Sequence, residues 1–151
     1  MNINHTLGCV VIALAATVVA ADDPTALLGV KTLVIRDSAP SPESAICIAA
    51  LDANLSKAGF TVQETTDGAD AELLTALRFA AEGRGLMGLT SSDEVDVSFS
   101  ILIKSLPDHH LLFSLLDHTK NSLATACDKM AKKTVKEILK TRIEPGAKEK
   151  K

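Results

Sequence analysis

The longest uninterrupted apolar block stands at the start of the chain: Cys9 to Ala21 (CVVIALAATVVAA), after the polar residues Met1 to Gly8. Its length matches the apolar region of a secretory leader and falls short of the roughly 20 residues a helix needs to cross a bilayer. Val18 and Ala20, or Val19 and Ala21, place small residues where a leader peptidase requires them. Residues 1–21 are therefore expected to be a cleavable signal peptide, cut after Ala20 or Ala21. Cys9 precedes the apolar block, whereas a lipidation cysteine follows one, so no lipid anchor is expected there.

Beyond the leader the pattern changes period several times. Val30 to Ile35 (VKTLVI) is a continuous β-favouring run, the signature of a central strand covered on both faces. Ser38 to Pro42 breaks the chain, and Ser41 can cap a helix whose first position is Pro42, with Glu43 at the positive end of its dipole. Cys47, Leu51, Leu55 and Ala58, with Ile48 alongside, give that helix an apolar stripe, and Gly59 can end it. Phe60 to Glu64 alternates apolar and polar and predicts a strand near an edge. Asp67 or Asp70 could cap a second helix with Leu73, Leu77 and Ala80, and also Leu74 and Ala81, on its apolar face, stopped by the glycines from Gly83.

Val95, Val97, Phe99, Ile101 and Ile103 alternate with mostly polar residues, the strongest strand pattern in the chain. Pro107-Asp108 is turn chemistry, and Leu111 to Leu116 (LLFSLL) reads as the returning strand of an antiparallel hairpin. A last helix begins near Ser122, with Cys127, Ala131, Thr134 or Val135, and Ile138 inward and Lys129, Lys133, Lys136 and Lys140 on a solvated stripe. The order β-α-β-α-β-β-α predicts an α/β (α+β) fold: one small domain over residues 22–143, a mixed four-stranded sheet with helices packed on it, and a charged tail over residues 144–151. About 130 residues after the leader suffice for one domain with its own core and no second.

Composition narrows the function. Trp and Tyr are absent and Phe occurs four times, so the stacking platforms used by sugar and single-strand nucleic-acid readers are missing. The net charge of −3 is unevenly spread: Asp22 to Asp128 holds 7 basic and 16 acidic residues, and Lys129 to Lys151 holds 9 basic and 3 acidic. An acidic body thus carries a basic end, without the apolar anchors of a membrane-surface helix.

The candidate chemistry is thin. Gly83-Arg84-Gly85-Leu86-Met87-Gly88 has dinucleotide-loop spacing, but it follows a predicted helix and precedes a strand, the reverse of what a phosphate loop needs. Asp108, His109, His110, Asp117 and His118 are metal-competent, yet residues 110 and 118 lie about 26 Å apart along one strand. No serine or cysteine stands in a nucleophile motif. Asn54-Leu55-Ser56 is a glycosylation sequon inside the first helix. Cys47 and Cys127 can form a disulfide between the first and last helices if their N-terminal ends meet; if those helices run antiparallel the ends lie far apart, and both residues are then small buried hydrophobes. Neither a catalytic residue nor a cofactor or metal site is expected.

The succession VKTLVIRDSA, a helix ending KAGFTVQE, then DEVDVSFSILIK, a hairpin and a terminal helix is similar to the small periplasmic α/β domain of the TolB amino-terminal type. The same domain occurs in envelope lipoproteins of the curli-secretion and penicillin-binding-protein-activator type. Gly59-Phe60-Thr61-Val62 and Glu94-Val95-Asp96-Val97-Ser98 occupy the places of that family's two strand motifs. The resemblance implies an exported, noncatalytic periplasmic adaptor whose partner is another envelope protein, with neither nucleic acid nor stable membrane insertion involved. The rival expectation is a small-ligand carrier or small enzyme with a pocket near Gly83 to Gly88 and the hairpin histidines.

Overall fold

Strand-forming segments are held in a sheet by backbone hydrogen bonds to neighbouring strands, and the computed structural model shows which neighbours these are; it describes residues 17–20, 27–81 and 94–142. The elements are β1 (Thr17–Ala20), β2 (Thr32–Asp37), α1 (Pro42–Lys57), β3 (Thr61–Gln63), β4 (Ala71–Ala81), β5 (Glu94–Ser105), β6 (Leu111–Ser122) and α2 (Leu123–Thr141). They form one mixed sheet in the order β1-β6-β5-β4-β2-β3. β2 is parallel to β3 and β4, whereas β4, β5 and β6 form an antiparallel meander and β1 lies antiparallel on β6.

Two expectations are corrected. Residues 71–81 are a strand, and the sheet has six strands instead of four, five of them from the chain beyond residue 21. Leu73 and Leu77 are four residues apart, a spacing that suits a helical face and a strand face equally. Ala71, Leu73, Thr75 and Leu77 are in fact all buried, with less buried residues between them. Local Ala and Leu content favours a helix, but β2 on one side and β5 on the other supply a full ladder of partners, and pairing wins.

The extra strand reverses everything after it. With a crossover helix at 71–81, β5 would run parallel to β2 and the last helix antiparallel to α1. With a strand there, β6 runs the same way as β2 and β4. Each helix turns back over the sheet from the strand that precedes it, so α1 and α2 run parallel. Their second turns meet, and Cys47 and Cys127, both fully buried, are joined as a disulfide with Cα atoms 4.5 Å apart. The antiparallel arrangement that would have separated them does not occur.

Both helices cover one face of the sheet. Val95, Val97, Phe99, Ile101, Ile103, Phe113 and Leu115 pack with Leu51 and Leu55 of α1 and with Ala126, Met130, Ala131 and Ile138 of α2 in a single core. At about 1.5–3 kcal/mol for each large side chain removed from water, this face dominates the stability. The ends of α1 follow its sequence. Ser41 and Ser44 exchange hydrogen bonds of 3.0 and 2.7 Å as a capping box. At the other end Gly59 takes φ +92°, while the Phe60 and Gly59 amides donate to the Leu55 and Ser56 carbonyls in a Schellman motif.

Asp70, expected as a helix cap, ties strand ends together. Its Oδ2 accepts the Lys31 and Thr32 amides, each at 2.8 Å. Its own amide donates to the Thr32 carbonyl and its carbonyl accepts the Leu106 amide, each at 3.0 Å. The amide of Lys31, then that of Thr32, holds the Asp70 carboxyl below the usual carboxylate range. A lowered folded-state pKa means that this stabilisation is complete above the unfolded-state value and is lost as pH falls through the folded-state one. Asp70→Asn is accordingly expected to flatten the acid limb of a stability-against-pH curve measured by urea unfolding; an unchanged limb would show that Asp70 contributes nothing to it.

The disulfide spans a sequence separation of 80 residues, and closing a loop of that size restricts the unfolded chain by about 4 kcal/mol. Reduction, or the pair Cys47→Ala and Cys127→Ala, is expected to lower unfolding free energy by roughly that amount. Coincident denaturation curves for oxidised and reduced protein would contradict it.

Candidate functional site

Fixing the helices near their N-terminal ends leaves their outer surfaces to define a groove farther along. Asn54 on α1 and Lys132, Val135, Lys136, Leu139 and Lys140 on α2 line a groove of about 570 Å³. Val135 is buried, but Leu139 is 40% exposed, so the floor is apolar and partly wet. Lys132, Lys136 and Lys140 recur every four residues and therefore form one rim. Lys132 is paired with Asp128 at 2.7 Å and Lys140 with Glu137 at 2.6 Å, while Lys136 has no ion pair among the described residues. The Lys132 hydrogen bond is the main influence lowering the Asp128 pKa, assisted by Asn54 and Lys57 from α1. The rim keeps a net positive charge and suits an anionic group with an apolar body.

The second open surface is the sheet beyond the helices. The face opposite α1 and α2 carries polar pairs, with Arg36 to Glu72 at 3.4 Å and Lys120 to Glu94 at 3.6 Å, beside the buried Val34. Strand β6 divides in two: Leu111 to Leu116 is uncharged, and Asp117 to Lys120 is polar. Asp117 turns its nearly buried carboxylate to the helix side, where Lys133 of α2 bonds it. The expected solvated stripe of lysines is thus only part of the picture: Lys133 fastens α2 to β6, and Lys136 and Lys140 face the groove.

The metal-competent residues do not converge. His109 occupies the hairpin turn with φ 56°, and His110 exchanges hydrogen bonds with Ser105 there, its amide donating to Oγ at 3.0 Å. His118 is exposed on the strand beyond. Among the described residues no three His, Cys, Asp or Glu side chains form a group able to hold a metal ion. Asn54 lies within α1 and donates to the Ala50 carbonyl at 2.8 Å. Gly83 to Gly88 lies outside the described residues, as do 1–16 of the expected leader and the tail from residue 143. The groove was missed in the sequence because Val135 was placed in the core and Lys136 and Lys140 on a solvated stripe, with no role given to Leu139 or Lys132; the repeat of four that joins Val135 to Leu139 and Lys132 to Lys136 and Lys140 was the available signal. No described helix is long and apolar enough to cross a membrane.

No family model matches the chain, and no curated protein matches it in sequence. Solved structures do match. PelC from Paraburkholderia phytofirmans, a dodecamer in its crystals, superposes with a TM-score of 0.57 at 11% identity, over 85% of this chain and 98% of that one. A second crystal form of it gives 0.55 at 12% identity over 85% and 96%. Protein XCC0632 from Xanthomonas campestris, a DUF330 protein, gives 0.55 at 12% identity over 74% and 85%. At these identities the likeness is one of fold: the chain has the mixed α/β fold of PelC and XCC0632.

Proposed function

We propose that the protein is an exported, noncatalytic domain of the bacterial envelope that works by docking on protein surfaces. The observation that carries this reading is the buried Cys47–Cys127 disulfide, because such bonds persist in oxidising compartments outside the cytosol. The leader-like residues 1–21 supply a route to that compartment. The segment order resembling the TolB-type domain favours an envelope role. PelC is a dodecamer, so a domain of this fold can act through contacts between copies. Intact mass of the protein recovered from the exported fraction, taken after alkylation, tests the reading. The expected chain begins at Ala21 or Asp22, carries no lipid and has no alkylated thiol; a chain retaining Met1, or with both Cys47 and Cys127 alkylated, would contradict it.

The groove favours a second reading, a carrier for a small anionic amphiphile, since about 570 Å³ lined by Leu139, Val135 and three lysines lies within the usual range of ligand sites. Thermal-shift measurement with medium-chain fatty acids below their micellar concentrations separates the two. The docking reading expects no ligand-specific rise in Tm; a rise abolished by Leu139→Glu would favour the carrier.

A further inference from the structure

Strand β6 opens with six residues, Leu111 to Leu116, that contain no charge, proline or glycine, the composition that pairs readily with any free strand. In this structure β1 keeps that segment from being an edge: Thr17, Val18, Val19 and Ala20 pair with Leu116, Leu115, Ser114 and Phe113. All four covering residues belong to the segment whose removal is proposed above. Cleavage after Ala20 or Ala21 would take β1 away whole and bare the backbone donors and acceptors of 113–116, next to Leu111 and Leu116, which are 41% and 42% exposed. The charges and prolines that usually guard an edge strand are absent from this stretch, whose charges begin only at Asp117; one bulge, at Leu112, lies near its start, ahead of the 113–116 segment that β1 covers.

We infer that in the mature chain this edge is covered by a second copy, β6 against β6, antiparallel about a two-fold axis perpendicular to the sheet. The inference rests on the leader reading. The sequence of the edge argues for a copy as the occupant. An antiparallel match over 112–116 opposes only uncharged residues, with Asp117, His118 and Lys120 at or beyond the ends of that overlap. A two-fold axis of this kind keeps every residue on its own face, so a position pairs with itself or with one an even number away. Centred on Ser114, the axis sets Phe113 of each copy opposite Leu115 of the other. Both residues belong to the core under the helices, so the apolar layer continues from one copy into the next. The two sheets join into one, with both helix pairs on the same side, an isologous contact.

The test uses the chain beginning at Asp22, with its mass in solution measured by sedimentation. A dimer is expected. Ser114→Lys and Ser114→Glu each place like charges opposite one another at the axis and are expected to weaken association about tenfold or more, and mixing the two variants should restore it. Ser114→Cys, a nearly isosteric change, should give a covalent dimer on oxidation. A monomeric chain from Asp22, a dimer indifferent to both charge variants, or no crosslink through Ser114→Cys would each overturn the inference and leave the leader reading standing. Exported protein that still carries residues 17–20 would instead overturn the leader reading, and the inference with it.

Discussion

One apolar sheet face has to be hidden from water, and two helices hide it. β4, β5 and β6 present their Leu, Val, Ile and Phe side chains to the same side, and the chain has only α1 and α2 among its described helices to lay over them. Because β2 and β6 run in the same direction, the helices that follow them return in the same direction too. Parallel packing then brings Cys47 to Cys127 and opens the groove farther along, around Asn54 and Leu139. The covalent bond thus follows from strand direction, and it secures the cover that the sheet needs.

That dependence explains what the sequence did and did not disclose. α1, α2, β5 and the β5–β6 hairpin were legible because local chemistry and tertiary role agree: Ser41 caps, Gly59 stops, and Val95 to Ile103 alternates without interruption. The segment 71–81 was misread because Ala, Leu and Glu favour a helix, and a Leu pair four apart fits either period. What decides there is β2 and β5 on either side, information that no local window contains. One strand taken for a helix inverts the direction of every later element, so the same error also made the cysteines look distant. The class of fold survived the error, but the strand count and the relation of the helices did not.

The surfaces left open follow from this one-sided architecture. With both helices on one face, the second face of the sheet carries the Arg36–Glu72 and Lys120–Glu94 pairs. Within α2, the basic stretch that opens at Lys129 uses Lys133 to grip Asp117 and turns Lys136 and Lys140 toward an apolar groove. The sheet edge is more exacting still, for hydrogen-bonding groups in a strand must be paired or wetted. Leu111 to Leu116 is poorly suited to being wetted. Its present cover is drawn from the segment with the clearest marks of a removable leader.

With residues 1–21 removed as proposed, the exposed edge of β6 must find another partner. Hydrogen–deuterium exchange on the exported protein, followed over Phe113 to Leu116 at several protein concentrations, addresses this directly. The expected result is amides protected at high concentration that exchange faster on dilution, as copies separate. Exchange over this segment that is rapid at every concentration, or slow at every concentration because residues 17–20 remain in place, would contradict it.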